Sequence, residues 1–236
     1  MAAVRRLQRE YLGFADDPAS LLAYRPCWDY QREVLGEVAE EARGDTVLYV
    51  EHEPVYTAGR RTTPEQRPFD GTDVVDVDRG GLITWHGPGQ LVGYPIVRLP
   101  QGVGVVDHVR RVEEAIIRYL ASLDLVTGRI KERTGVWFGA DGDRPERKVC
   151  AIGIRVSRRT TMHGFALNLT NDLAPFENMI PCGIPDAGAT TVQAELDAQG
   201  QGRRAPTLLE AAEALHPLLE ELLAFEPYTP SPDVVR

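Results

Sequence analysis

Residues 79–90 run Arg79-Gly80-Gly81-Leu82-Ile83-Thr84-Trp85-His86-Gly87-Pro88-Gly89-Gln90, with four glycines, a proline and a histidine in twelve positions. Glycine loses the most backbone entropy on folding, so it belongs where the chain needs positive φ or where another group must come close. The run reads either as a tight turn between two strands or as a loop shaped around a ligand. Arg79 and His86 beside the glycines favour the ligand.

The chain has 236 residues, 43% hydrophobic and 26% charged, a globular balance with room for one large domain or two small ones. Its formal net charge of -9 argues against general nucleic-acid binding. Met1 to Glu10 holds no apolar h-region, and no apolar run approaches a membrane span. A cytoplasmic protein with no membrane partner is therefore expected. Three cysteines in a chain of this size point to a reducing compartment and at least one free thiol.

Periodicity outlines the elements. Residues 28–43 have helical spacing at Trp28, Gln31, Val34, Leu35, Val38 and Ala42, with Gly44 as the stop. Strands are expected over 46–52, 74–77, 94–99, 134–138, 149–156 and 162–169. A polar hairpin, 139–147, joins two of them. A long helical stripe runs from Val105 to Leu123. Thr207 and Glu210 have capping-box spacing ahead of a helix to about Phe225. The Pro-rich tail, 227–236, is expected to be loose. No repeat or linker is visible, so strands interspersed with helices predict one α+β domain.

Two strands share a pattern. Side chains alternate faces along a strand. Ala151 and Gly153 therefore share a face, and so do Gly164 and Ala166. If both faces border the same space, they leave a slot for a narrow, chain-like ligand. Close packing of a helix on the sheet would use the same small residues.

Cys182 lies between Pro181 and Gly183, where a loop nucleophile would sit. Cys27 and Cys150 fit buried, inert positions better. Only a thiolate attacks, so Cys182 needs a cation or base nearby. Lys148, at the start of an apolar strand, is the first candidate, and His86 and His163 compete with it. His108 and His216 lie on amphipathic helices and read as structural or solvated, and His52 is ambiguous. No Cys–His spacing resembles a zinc site, so no metal is expected.

These residues occur in a recognisable order. Arg79-Gly80-Gly81, Thr84 and His86-Gly87-Pro88-Gly89-Gln90 come first, followed by Lys148 with Ala151-Ile152-Gly153. His163-Gly164-Phe165-Ala166-Leu167-Asn168 and Pro181-Cys182-Gly183-Ile184 complete the set. The set resembles the lipoyl(octanoyl) transferase family, also called lipoate-protein ligase B. Glu51 to Thr57, Gly59-Arg60 and Leu91 to Pro95 fit the same pattern.

The resemblance implies a single domain of mixed sheets flanked by helices, like the catalytic domain of biotin and lipoate ligases. It implies an acyltransferase. An octanoyl group moves from octanoyl-acyl carrier protein to an enzyme cysteine, and then to a lysine ε-amine of a lipoyl domain. The acceptors would be the lipoyl domains of 2-oxoacid dehydrogenase complexes and the glycine cleavage H protein. No cofactor is implied, because a thioester is already activated. By resemblance Cys182 is acylated, and Lys148 lowers its pKa and shuttles protons. Arg79, Gly80, Gly81, Leu82, Ile83, Thr84, Trp85 and His86 would hold substrate, together with Ala151, Ile152, Gly153, Gly164, Phe165 and Ala166. His163 and Asn168 would support them. Arg155, Arg158 and Arg159 are the first guess for docking an acidic carrier, with Arg60 and Arg61 second.

The sequence departs from that family at Cys150, where a small residue is expected. By alternation Cys150 shares a face with Lys148 and could approach the site. The hairpin 139–147 is long, and Thr190-Thr191 replaces a Thr-Ser pair. Competing readings are an ATP-dependent ligase on the same fold, a cysteine thioesterase, and a non-catalytic carrier-binding module.

Overall fold

The computed structural model describes residues 6–14, 20–68, 71–179 and 188–234. Among them the strands are β1 (Gln8–Leu12), β2 (Thr46–Val50), β3 (Val55–Ala58), β4 (Val74–Asp76), β5 (Ile83–His86), β6 (Gln90–Ile96), β7 (Gly128–Ile130), β8 (Arg133–Phe138), β9 (Arg147–Ser157), β10 (Thr160–Asn168) and β11 (Gly188–Ala189). The helices are α1 (Tyr24–Ala39), α2 (Val105–Ala121), α3 (Ala174–Glu177), α4 (Val192–Ala198) and α5 (Leu208–Leu222).

Strand β2 shows why the layers form. Val47 and Tyr49 enter one hydrophobic core, Leu48 and Val50 another. A continuous apolar run is what a strand covered on both faces requires. The main sheet runs β1-β2-β6-β10-β9-β8-β7, with β11 added in parallel beside β9. Helix α1 lays Cys27, Val34, Leu35 and Val38 on one face. On the other, α2 and α5 supply Val112, Ile116, Leu120, Leu215 and Leu219. A second sheet, β4-β3-β5, stands apart from the first. The mixed α+β domain expected from the sequence is present.

Several elements differ from expectation. Helix α1 begins at Tyr24 rather than 28 and ends at Ala39 rather than 43. Pro26 falls in its first turn, where backbone N–H groups have no intrahelical partner to lose. Strand β6 begins at Gln90 and passes through Pro95. Proline cannot donate to a ladder, and pairing with β10 runs only from Gln90 to Gly93. Beyond it the Thr161 hydroxyl donates to the Pro95 carbonyl at 2.7 Å instead. The glycine run is not one loop. Ile83–His86 forms β5, because four consecutive strand-compatible residues separate the Gly80-Gly81 and Gly87-Gly89 turns.

The tail expected to be loose is held as far as Val234. Arg111 donates to the Glu226 carbonyl at 2.9 Å, and Arg129 to that of Ser231 at 3.2 Å. The Ser231 hydroxyl donates to the buried Glu114 at 2.8 Å, and Val234 N–H to the Arg129 carbonyl at 3.2 Å. The capping box of α5 is formed as expected. Among the described residues no helix is long and apolar enough to cross a membrane.

Candidate functional site

Strands β9 and β10 pair in register, with Gly153 opposite Gly164 and Ala151 opposite Ala166. Cross-strand partners share a face, so the two small-residue faces inferred from alternation are one surface. They floor a cavity of about 140 Å³ between the main sheet and the smaller one. The cavity wall includes Arg79, Gly81, Leu82, Ile83, Thr84, His86, Lys148, Ala151, Ile152, Gly153, His163, Gly164, Phe165 and Ala166. A dry cavity of similar size accepts a benzene-sized group. Packing also uses the small residues. A Cβ on Gly153 would lie 2.9 Å from Arg79 Cδ and 3.0 Å from the Gly80 carbonyl oxygen. The packing explanation holds at Gly153, which also lines the cavity.

Arg61, Glu132 and Thr134 are exposed and mark the mouth, which runs from Thr134 near Lys148 to Arg61 on the Gly81 turn beside Ile154. Tyr24, His86, Tyr94 and His163 are buried parts of the wall.

Lys148 stands on the mouth side because the strand alternation breaks beside it. Val136 pairs with Cys150 but Trp137 with Lys148, so β9 carries one extra residue there. Such a bulge re-aims side chains. Val149 and Cys150 both enter the α2/α5 core, while Lys148 joins the cavity wall with Ala151 and Gly153. Cys150 therefore does not approach the site, contrary to what strict alternation implied. It is fully buried, and burial raises its thiol pKa far above the usual range. Cys27 is pushed up to about 12, again by burial.

Lys148 Nζ lies 4.6 Å from the centre of the Trp137 ring, within cation–π range. A Cβ on Gly135 would lie 3.5 Å from the Lys148 aliphatic stem, and the Gly135 φ of +121° suits glycine. Gly135 N–H is in turn held by the buried Glu113 at 2.9 Å.

One hydrogen-bond chain links the motifs, and every donor points the same way. Arg79 Nη2 donates to the Thr57 hydroxyl at 2.9 Å, and that hydroxyl faces His86 Nε2 at 3.4 Å. His86 Nδ1 donates to Gln90 Oε1 at 2.8 Å. The Gln90 amide nitrogen donates to Asn168 Oδ1 at 2.9 Å and to the Trp85 carbonyl at 3.2 Å. Asn168 Nδ2 donates to the Thr190 carbonyl at 3.0 Å, and Thr190 N–H to the Lys148 carbonyl at 3.0 Å. Because the Gln90 nitrogen is committed to carbonyl acceptors, its oxygen must face His86, which fixes the His86 tautomer. Burial and neighbouring His52 hold the His86 pKa down to about 3 against the Gln90 bond, which raises it. Both ring nitrogens face a hydrogen-bonding partner, which holds the His86 ring in place.

The chain also explains which expected residues leave the wall. Asn168 is buried behind it as a clamp. Gly80 instead pins the loop to β9, its N–H donating to the Ile154 carbonyl at 3.2 Å. Trp85 points to the opposite face of β5, where it meets Phe176 at 5.9 Å and joins Tyr56, Ile83 and Met179. That correction follows from alternation, since Thr84 and His86 take the cavity side. Arg79 is buried, and its guanidinium also braces the loop carbonyls of Gly80 (3.1 Å) and Leu82 (2.7 Å).

His163 Nε2 meets Asp78 Oδ1 at 2.8 Å. Burial, then Arg79, Arg155 and Arg32, lower its pKa to about 3. His52 is lowered to about 4 by burial and sits between the Leu22 carbonyl and the Tyr94 hydroxyl, each at 2.8 Å. Cys182 lies outside the described residues.

Tyr24, Val92, Tyr94 and Trp137 belong to the site without having been singled out as site residues. Tyr94 fell within a flanking motif and Tyr24 just ahead of the expected helix, so only their packing reveals them. Arg155 pairs with Asp78, Arg158 with Glu40, and Arg159 donates to the Leu99 carbonyl. The first-choice basic patch is thus largely neutralised, whereas Arg61 stands at the mouth. No group of three or more His, Cys, Asp or Glu side chains among the described residues could hold a metal ion.

Residues 23–216 match the lipoyl protein ligase A/B catalytic domain. An octanoyltransferase of Cutibacterium acnes is 60% identical over 231 residues, 98% of this chain and 85% of the relative. One from Salinispora tropica is 57% identical over 178 residues, 75% of this chain and 84% of that protein. Among solved structures, a lipoate-protein ligase A bound with ATP superposes with a TM-score of 0.64 over 92% of this chain and 85% of that one, at 13% identity. A putative lipoate protein ligase of T. acidophilum gives 0.60 over 92% and 85% of the two chains, at 12% identity. The chain belongs to the lipoyl protein ligase A/B catalytic-domain family and, within it, to the octanoyltransferases, which are acyltransferases.

Proposed function

We propose that this chain moves an octanoyl group from octanoyl-acyl carrier protein onto a lysine ε-amine of lipoyl domains, through a thioester on Cys182. The acceptors are the lipoyl domains of 2-oxoacid dehydrogenase complexes and the glycine cleavage H protein. The observation that carries the reading is the slot floored by Ala151, Gly153, Gly164 and Ala166, with Lys148 in its wall. A long, narrow acyl chain fits such a floor, and its reactive end then lies beside the lysine.

The Cys182 thiolate attacks the donor thioester carbonyl, forms the enzyme thioester and expels the carrier's thiolate, which takes up a proton. The acceptor amine then attacks that thioester, an amide forms, and the Cys182 thiolate leaves as the amine sheds its proton. Lys148 accepts and returns these protons. Cys27 and Cys150, both buried with raised pKa values, are unsuited to the attack, which supports Cys182 as nucleophile. Arg60 and Arg61 beside the mouth receive the acidic carrier.

Intact-mass measurement after incubation with octanoyl-acyl carrier protein, without ATP, tests this. An octanoyl adduct should form on the unmodified protein and be absent from Cys182→Ala. It should leave when apo-lipoyl domain is added, as that domain gains the same mass. Transfer that requires ATP would replace the reading with a ligase. Free octanoate produced without dependence on the acceptor would replace it with a thioesterase.

A further inference from the structure

One fully buried carboxylate has no part in the chemistry above. Glu113 lies on α2, and none of its side chain is exposed. Its Oε1 accepts the Gly135 N–H at 2.9 Å. Its Oε2 accepts from Arg129 Nε at 3.2 Å and from Arg110 Nη1 at 2.7 Å. Two guanidinium cations thus meet its charge, and the other oxygen serves a single backbone donor on β8.

The strand pairing explains why that donor needs it. From Arg133 to Trp137, β8 advances four positions while its partner β7 advances two, from Ile130 to Gly128. On the other side of β8, β9 carries its extra residue between Lys148 and Cys150. Gly135 lies in this doubly irregular stretch and is paired in neither register. A bulge takes backbone groups out of the ladder, and a buried N–H without an acceptor is costly. Gly135 is buried there, and Glu113 supplies its N–H with a charge-assisted acceptor.

Lys148 rests on the same stretch. A Cβ on Gly135 would lie 3.5 Å from both Cδ and Cε of Lys148, and Lys148 Nζ stands 4.6 Å from the centre of the ring of Trp137, its cross-strand partner. Two residues of β8 therefore border the lysine stem and ammonium, and one side chain ties that part of β8 to α2.

We propose that Glu113 is a positioning residue for Lys148: by holding the Gly135 N–H it fixes the β8 bulge on which the lysine stem and ammonium rest. The inference rests on Lys148 handling protons in the proposed transfer. Without the Glu113 acceptor the bulge relaxes, and Lys148 leaves the place from which it exchanges those protons. Glu113 is not part of the cavity wall, so substrate binding is left intact. Its loss should lower kcat and leave KM nearly unchanged. Neighbouring Glu114 is the matched control. It is equally buried, but its hydrogen-bond partners among the described residues are Arg129 at 2.8 Å, Arg118 at 2.9 Å and Ser231 at 2.8 Å, none of them on β8.

Steady-state octanoyl transfer from octanoyl-acyl carrier protein to apo-lipoyl domain, with urea midpoints measured beside it, tests this on the full chain. Glu113→Gln leaves one oxygen for three donors, and the two cations hold it. Its kcat should fall about tenfold or more, with the donor KM within about twofold of the unmodified protein. Glu114→Gln should lower the urea midpoint comparably and keep kcat. Glu113→Asp retains the charge but draws its oxygen back from Gly135, so it should show the same fall and takes the place of Glu113→Gln if that variant does not fold. Unchanged kcat in the Glu113 variants would overturn the assignment. So would a parallel fall in Glu113→Gln and Glu114→Gln, which would make the effect one of stability. Lys148→Ala keeps the two readings apart. Full turnover in Lys148→Ala would remove the lysine's role and that of Glu113 with it, whereas lost turnover there beside unaffected Glu113 variants would overturn Glu113 alone.

Discussion

Asn168 shows how much a single buried amide can organise. Its oxygen takes the Gln90 amide and its nitrogen holds the Thr190 carbonyl, so one side chain joins β6, β10 and the segment beside Lys148. Asn168→Ala leaves a buried donor and a buried acceptor unpaired, at a cost of about 2–4 kcal/mol. Urea denaturation should show that loss as a lower midpoint with an unchanged slope. Asn168→Asp should not rescue it, because a carboxylate cannot donate to the Thr190 carbonyl. An unchanged midpoint in Asn168→Ala would mean that the chain of bonds from Arg79 to Lys148 does not act as a unit.

Elements carry their own information. The turn between β9 and β10 places Arg158 at φ +50° and Arg159 at φ +60°. Two-residue hairpins favour this geometry but prefer Asn and Gly in it, since left-handed backbone costs other residues about 1–2 kcal/mol each. Arg158 gives up only a surface ion pair with Glu40 at 3.1 Å. Arg158→Asn should therefore raise stability by about 0.5–1 kcal/mol, read as a higher urea midpoint. A lower midpoint would show that the Glu40 pair outweighs the backbone strain. The β9 bulge makes the complementary point: one extra residue places Lys148 in the cavity and Cys150 in the core.

Across the whole molecule, buried neutral histidines set the response to acid. His52 and His108 are lowered to about 4, and His86 and His163 to about 3, burial being the first cause in each. All lie below the unfolded value near 6.5. Between those values the unfolded chain binds protons that the native protein refuses. Stability is therefore complete above about pH 6.5 and falls as pH drops, by at most about 1.4 kcal/mol per pH unit for each such group. His108 is not part of the cavity wall, and neither of its ring nitrogens has a hydrogen-bond partner among the described residues. His108→Leu should gain stability relative to the unmodified protein as pH falls from 6.5 to 5. Parallel stability–pH curves for the two proteins would refute the assignment.

The sequence by itself determined the α+β class, the long amphipathic helices, the α5 capping box and the two small-residue faces. These depend on local periodicity and on side-chain oxygens within a few positions of the backbone they cap, which one segment specifies alone. The motif order also marked the residues that share the cavity. Tertiary structure decided the remainder. It brought Ala151 against Ala166 and Gly153 against Gly164 in register, and turned Trp85 away through pairing of β5 with β3. It separated Lys148 from Cys150 at a bulge that exists only relative to β8. It bound the C-terminal tail to arginines more than a hundred positions away. Register, bulges and buried donor chains are relations between segments distant in sequence, and their energies appear only once those segments meet.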